Sequence, residues 1–240
     1  MTPAAWLSCW LLLGTPEAAA APSPATPSPS AAHELVVLVH GMGRTRRSML
    51  PVQRALEQAG YEVLNHGYPS RRATVAESGQ ALAERIAAVE RRPDIARVHM
   101  VGHSLGNIVI RWVIAYQRPS KLGRIVMLAP PNQGAHLADE FAPWLSWLSR
   151  PRPELTTRPG SAARAIPTPD DVEIGVIAGS YDYTVRPPET CLAGQRDHIL
   201  VPSGHTFIMR KRQVQRLTKR FIRRGAFAEE AQASRPCPCP

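Results

Sequence analysis

The 240-residue chain carries 29 Lys and Arg against 19 Asp and Glu, a net charge of +10, and 44% of its residues are hydrophobic. That length and apolar content suit one α/β domain with a sizeable core. No Walker motif, zinc-type C-x-x-C pattern or RNA-binding aromatic signature accompanies the basic balance. Nucleic acid is therefore not an expected partner, and the charge leaves peripheral contact with an anionic membrane, or plain solubility, as its use.

The N-terminus opens with an apolar run at 4–14 that includes Trp6, Trp10 and Leu11, followed by the small residues Ala18, Ala19, Ala20 and Ala21. Residues 1–21 resemble a secretory signal peptide that lacks the usual basic start, and are too short to span a bilayer. They point to an exported protein, periplasmic or secreted. Residues 22–32 alternate Pro with Ser, Ala and Thr, a stiff linker. The folded domain is expected over 33–225, with 226–240 a disordered tail ending in Cys237-Pro238-Cys239. With Cys9 near the start and Cys191 standing alone, the four cysteines make no evident disulfide framework.

Residues 34–39, Glu-Leu-Val-Val-Leu-Val, read as a central strand buried on both faces, running into His40-Gly41-Met42-Gly43. A helix is expected over 46–59, with Met49, Val52 and Leu56 on one side. A short strand at 61–65, a Tyr68-Pro69-Ser70 turn and an amphipathic helix over 75–89 follow.

Residues 98–106 then place a strand directly before Gly102-His103-Ser104-Leu105-Gly106, and an apolar helix at 107–116 directly after it. This is a G-x-S-x-G nucleophile elbow in the strand–turn–helix setting that it requires. So sharp a turn strains the serine backbone and needs glycine two residues to either side, where a Cβ would clash. His103 is expected to point away from Ser104, into the packing of the elbow.

The next strand, 124–129, ends in Pro130-Pro131-Asn132-Gln133-Gly134. Residues 135–170 form a cap or lid insertion in which Phe141, Trp144, Leu145, Trp147 and Leu148 cluster. That cluster is equally a moving lid or a satellite core. Strands at 172–178 and 198–201 end at Gly179-Ser180-Tyr181-Asp182 and Pro202-Ser203-Gly204-His205. A closing helix over 206–223 turns Phe207, Val214, Leu217 and Phe221 inward. Its opposite face, Arg212, Arg216, Lys219 and Arg223, is either a solvated surface or a footprint for anionic membrane.

Alternating strands and helices predict a mostly parallel sheet with helices on both faces, and ligands bind such sheets at the carboxyl ends of the strands. Ser104, Asp182, His205 and the turn at His40 all fall there. A serine hydroxyl needs an imidazole to take its proton, and His205 follows a strand, after Gly204, on the loop that precedes the final helix, which makes it the expected general base. Asp182 is placed to orient it, with Asp139 in the insertion as the rival. The backbone amides of Met42 and Leu105 are the candidate oxyanion donors. His40 either supports its turn or is merely packed there.

Taken together, Leu38 to Met42, Tyr68-Pro69-Ser70, Gly102 to Asn107, Leu128 to Gly134, Tyr181-Asp182 with Thr184-Val185, and Ser203 to Phe207 resemble the α/β-hydrolase superfamily. The likeness is to its bacterial lipase/esterase-like serine hydrolases. It implies the α/β-hydrolase fold, a Ser104-Asp182-His205 triad, hydrolysis of a small-molecule or lipid ester through an acyl-enzyme, and no metal or organic cofactor. Two departures stand out: the acid loop 179–182 is short, and His136 replaces a small polar residue. Thioester or amide cleavage would use the same triad, and a non-catalytic lipid-binding domain of this fold would need none of the three residues.

Overall fold

The computed structural model describes residues 33–145, 151 and 153–228. The expected leader and linker lie outside the described residues, as does the tail from residue 229.

Six strands form one sheet in the order β2-β1-β3-β4-β5-β6, every neighbouring pair parallel. They are β1 (His33–Val39), β2 (Glu62–His66), β3 (Ile95–His103), β4 (Leu122–Leu128), β5 (Ile174–Gly179) and β6 (Asp197–Val201). The helices are α1 (Leu50–Glu57), α2 (Val75–Glu90), α3 (Leu105–Tyr116), α4 (His136–Leu145), α5 (Ala162–Ala165) and α6 (Arg212–Arg224).

Successive side chains of a strand face opposite ways, and here both sides are apolar, so the sheet carries two cores. Leu35, Val37, Met100, Ile125 and Val176 pack with α2 and α3. Val36, Leu38, Val101, Val126 and Ile177 pack with α1 and α6 on the other side. Parallel strands joined by right-handed crossovers demand this division, because the chain leaves β1 in one direction along the sheet and β3 in the other. β1 and β3 are neighbours, with Val39 opposite Gly102. The loops that follow them diverge and open a crevice at the strands' carboxyl ends. Everything at the candidate site is hung around that crevice.

The local signals that start α2 are a capping box. Thr74 Oγ1 accepts from the Glu77 amide at 3.1 Å, and the Glu77 carboxylate accepts from the Thr74 amide at 2.7 Å. Glu154 of the inserted segment accepts from the Val75 amide at 2.9 Å, which docks the insertion on this helix end. At the far end of the chain, Gly225 takes φ 73° and closes α6 with a left-handed cap.

Several expectations need correction. The closing helix is broken: a 3-10 turn at Ile208–Arg210 is followed by extended Lys211 and only then by α6. The break turns Ile208 and Met209 inward and leaves Phe207 52% exposed, so Phe207 is not a core residue. The domain also runs past residue 225. Phe227 is only 5% exposed, packs its ring at a tilt 4.9 Å from that of Phe221, and its amide donates to Asp197 at 2.7 Å. Cys191 is buried and disulfide-bonded, not alone. The backbone of α4 carries part of the expected aromatic cluster, but those side chains and residues 146–150 lie outside the described residues.

Phe227 therefore belongs to the fold. Phe227→Ala is expected to lower the unfolding free energy by about 3 kcal/mol, as for a buried aromatic truncated in a core. Urea denaturation measures it, and a change below about 0.5 kcal/mol, the range of neutral surface changes, would return residues 226–228 to the tail.

Candidate active site

The turn between β3 and α3 is built at the crevice. Ser104 adopts φ 51° and ψ −125°, a region that a residue with a side chain enters only under constraint. Its amide donates to Leu128 O at 3.0 Å. Asn107 Nδ2 donates to both Ser104 O and Leu128 O, each at 3.1 Å, which ties the turn to the end of β4. The glycines do what the motif asks of them. A methyl on Gly102 would lie 2.2 Å from Asn107 Oδ1, and one on Gly106 would lie 2.4 Å from Val39 O.

Ser104, Asp182 and His205 come from the ends of three different strands and meet. His205 Nε2 lies 2.9 Å from Ser104 Oγ, and His205 Nδ1 lies 2.7 Å from Asp182 Oδ2. A carboxylate only accepts, so Nδ1 carries the proton and Nε2 offers its lone pair to the hydroxyl. The carboxylate is 3% exposed, and its other oxygen accepts from the Thr184 and Val185 amides, each at 2.9 Å. The short acid loop makes this possible: the Asp182 amide turns back onto Gly179 O at 3.3 Å, and the Tyr181 amide donates to Ser203 O at 3.1 Å. The acid loop is thus tied to the loop that carries His205.

The two candidate oxyanion amides sit on the chain segments that flank Ser104. Leu105 is the first residue of α3, where a helix amide has no partner within the helix. Met42 lies in the turn after β1, and that turn abuts the elbow: a methyl on Gly41 would lie 3.1 Å from Ser104 Cβ. Tyr68 and Ser70 hold this turn in place. The Tyr68 hydroxyl donates to His40 O at 2.7 Å, and the Gly43 amide donates to Ser70 Oγ at 3.1 Å. His40 is buried under the turn, stacked on Tyr68 at 4.4 Å, with Nδ1 donating to Gly41 O at 3.0 Å. It supports the turn by being packed there, and burial lowers its pKa.

The rival acid, Asp139, is engaged elsewhere, as are two further acids and two further histidines in or beside the strands. Asp139 accepts from the Thr157 amide at 3.0 Å and from its hydroxyl at 2.7 Å, holding the inserted segment together. Asp171 pairs with Arg118, and Asp197 accepts from the Phe227 and His198 amides. His198 faces Thr190 Oγ1 at 2.8 Å, and His99 accepts from the Arg124 amide at 2.9 Å. A cleft of about 760 Å³ beside α2 and α3, lined by Val75, Trp112, Tyr116 and Ile166, contains none of the three residues at the elbow. The three candidate residues lie at the crevice instead.

Two supporting residues escape a reading of the sequence, and for a third, His103, the sequence predicts the elbow packing but not the partner. Arg111 is buried on α3 and donates to Asn132 O, Ala163 O and Ile166 O at 3.3, 2.7 and 2.5 Å. It staples the insertion to the helix behind Ser104, and burial brings its pKa down to about 10, still a cation at neutral pH. Its signal was an arginine inside an otherwise apolar helix. Glu189 is buried and accepts from His136 Nδ1 at 2.5 Å and from the Arg186 amide at 2.8 Å. The unusual His136 thus has a partner. His103, the third, packs its ring 5.1 Å from that of His205.

The sequence profile of the alpha/beta hydrolase family matches residues 36–236. The chain belongs to the alpha/beta hydrolase family. No curated protein matches it. Among solved structures it is similar to a mature-form lipase of Bacillus licheniformis at 16% identity and a TM-score of 0.60, over 82% of this chain and 95% of that one. Lipase B of Aspergillus fumigatus is similar at 15% identity and a TM-score of 0.63, over 78% of this chain and 51% of that one. A phospholipase of Legionella pneumophila gives 15% identity and a TM-score of 0.61, over 80% of this chain and 57% of that one. The chain spans about half the length of the last two, and what it shares with all three at such identity is the hydrolase fold.

Buried histidines make the stability of this hydrolase domain depend on pH. His40, His66, His99 and His198 all lie below the ordinary 6.5 because burial disfavours the imidazolium, and burial takes His103 to about 3. The unfolded chain binds those protons near pH 6.5 while the fold resists them. Stability is therefore complete above about pH 6.5 and is lost as the pH falls below it, by up to about 1.4 kcal/mol per pH unit for each fully resisted proton. The urea midpoint is expected to drop between pH 7 and pH 5, and more shallowly in His103→Gln. A flat profile would contradict this.

Proposed function

We propose that the chain is a serine hydrolase that cleaves carboxylic esters through an acyl-enzyme. The observation that carries this reading is the continuous relay from Ser104 Oγ to His205 (2.9 Å) and from His205 to Asp182 (2.7 Å) at the mouth of the crevice. A buried structural serine has no need of an imidazole lone pair backed by a buried carboxylate.

The reaction follows from the placement of the groups. Ser104 Oγ attacks the ester carbonyl carbon as His205 Nε2 takes the hydroxyl proton. Asp182 keeps the imidazole in the tautomer that can accept and stabilises the cation that forms. The carbonyl electron pair moves onto oxygen, and the Met42 and Leu105 amides receive that charge, the contribution that is usually largest in acyl transfer. The bond to the alcohol oxygen breaks as His205 returns its proton to the leaving group, and the acyl group stays on Ser104. Water then attacks by the same route: His205 takes its proton, the acid departs, and the serine is restored. The apolar leader-like run at 4–14 supports an exported site of action.

Ester turnover tests the reading. Against p-nitrophenyl esters of graded acyl length, the wild type is expected to turn over at least one chain length, and Ser104→Ala to lose at least ~10³-fold in kcat. The preferred length would assign it to short-chain esterases or to lipases. A wild type inactive on every ester, with thioester or amide activity abolished by the same substitution, would move the substrate class. Inactivity on all three would overturn the reading.

A further inference from the structure

His103 ends β3, next to the proposed nucleophile, and its ring lies beneath the site between two loops. It is 2% exposed, and its ring centroid is 5.1 Å from that of His205 at an interplanar angle of 42°. One edge makes a bond: Nε2 lies 3.0 Å from the main-chain carbonyl oxygen of His205. A carbonyl only accepts, so the proton is on Nε2 and Nδ1 bears a bare lone pair. Among the described residues Nδ1 has no hydrogen-bond partner. That edge faces Gly41 instead, where a methyl would lie 2.8 Å from Nδ1.

A single flat ring thus reaches from the main chain of the proposed base to the turn that carries the Met42 amide. We propose that His103 is a positioning residue: it holds His205 through its main-chain carbonyl and spaces the base loop from the oxyanion turn. This rests on the hydrolase reading for its catalytic consequence, though not for its structural one. Burial holds His103 neutral throughout the working range. It can therefore sit against a histidine that becomes a cation in each cycle without adding a second charge. The two functions, donor and spacer, separate by substitution. Phe keeps the ring and loses the donor, whereas Gln keeps a donor and loses the ring.

The test compares wild type, His103→Phe and His103→Gln in the full chain by p-nitrophenyl butyrate kinetics, melting temperature and the downfield proton resonance of His205 Nδ1–H. A misplacement of an ångström or less costs up to about 100-fold in rate. In His103→Phe, kcat is accordingly expected to fall by about 10- to 100-fold, with KM within about twofold. The Nδ1 proton signal should broaden as the ring loses its fixed pose. In His103→Gln, the donor is expected to restore the sharp signal, while the lost spacer leaves kcat between that of His103→Phe and that of the wild type. A His103→Phe enzyme with wild-type kcat and a sharp signal would overturn the proposal, as would losses in both variants that merely track their melting temperatures. Should His103→Phe not fold, His103→Met, which also lacks a donor, takes its place. If the wild type cleaves no ester, thioester or amide, the hydrolase reading fails, and the resonance alone still decides whether His103 positions His205.

Discussion

The structure turns on how closely the start of α3 approaches the end of β1. Gly106 sits so near Val39 O that any side chain would collide with backbone, and that contact is what allows Ser104 to be held at φ 51°. A conformation of this kind costs about 1–3 kcal/mol and persists only where its surroundings over-determine it. Here they do: β4 fixes the turn through Leu128 O, Asn107 ties its carbonyl, and Gly41 closes over it from the β1 side. The cost is offset by two apolar cores that bury both faces of the sheet. The strained residue is also the one whose hydroxyl meets an imidazole.

From that fixed point the other groups are placed by topology more than by local sequence. β1, β3, β5 and β6 all point their carboxyl ends at one edge, so four loops converge without any of them being long. The acid loop shows the economy. It is a single turn, yet Asp182 is pinned by two amides of its own loop and reaches His205 through the contact between Tyr181 and Ser203. Tyr181 and Tyr183 are exposed beside it. Arg111 ties the insertion to the helix that follows Ser104 through Ala163 O and Ile166 O, and also donates to Asn132 O; among the described residues no carboxylate pairs with it. Three of its five N–H donors meet carbonyl oxygens, which offsets part of the cost of burying that cation, while Nε has no hydrogen-bond partner among the described residues.

Much of this was legible in the residues. The unbroken apolar runs marked strands buried on both faces, and Gly102, Ser104 and Gly106 announced the elbow, because only glycine fits at those two flanks. Asp182 and His205 could be chosen by asking which acid and which histidine follow a strand. What could not be read were contacts between distant segments. Nothing near Arg111 in the sequence names Ala163 and Ile166, and nothing near His103 names the carbonyl of His205. The closing helix departs from its periodicity for a related reason. Periodicity carries it back past Phe207, but the chain makes a 3-10 turn at Ile208–Arg210 and straightens at Lys211 before α6 begins. Phe227 was lost to the tail because one aromatic among alanines shows no period; only the space beside Gly175 and Phe221 explains it.

The central claim is that Ser104 is a nucleophile because His205 and Asp182 make it one. Fluorophosphonate labelling followed by peptide mass mapping addresses it directly, since the reagent reports the activated hydroxyl and requires no knowledge of the substrate. The relay predicts one adduct per chain, on Ser104, formed far more slowly in Asp182→Asn and His205→Ala. Labelling at another residue, or at Ser104 with a rate indifferent to both substitutions, would contradict it.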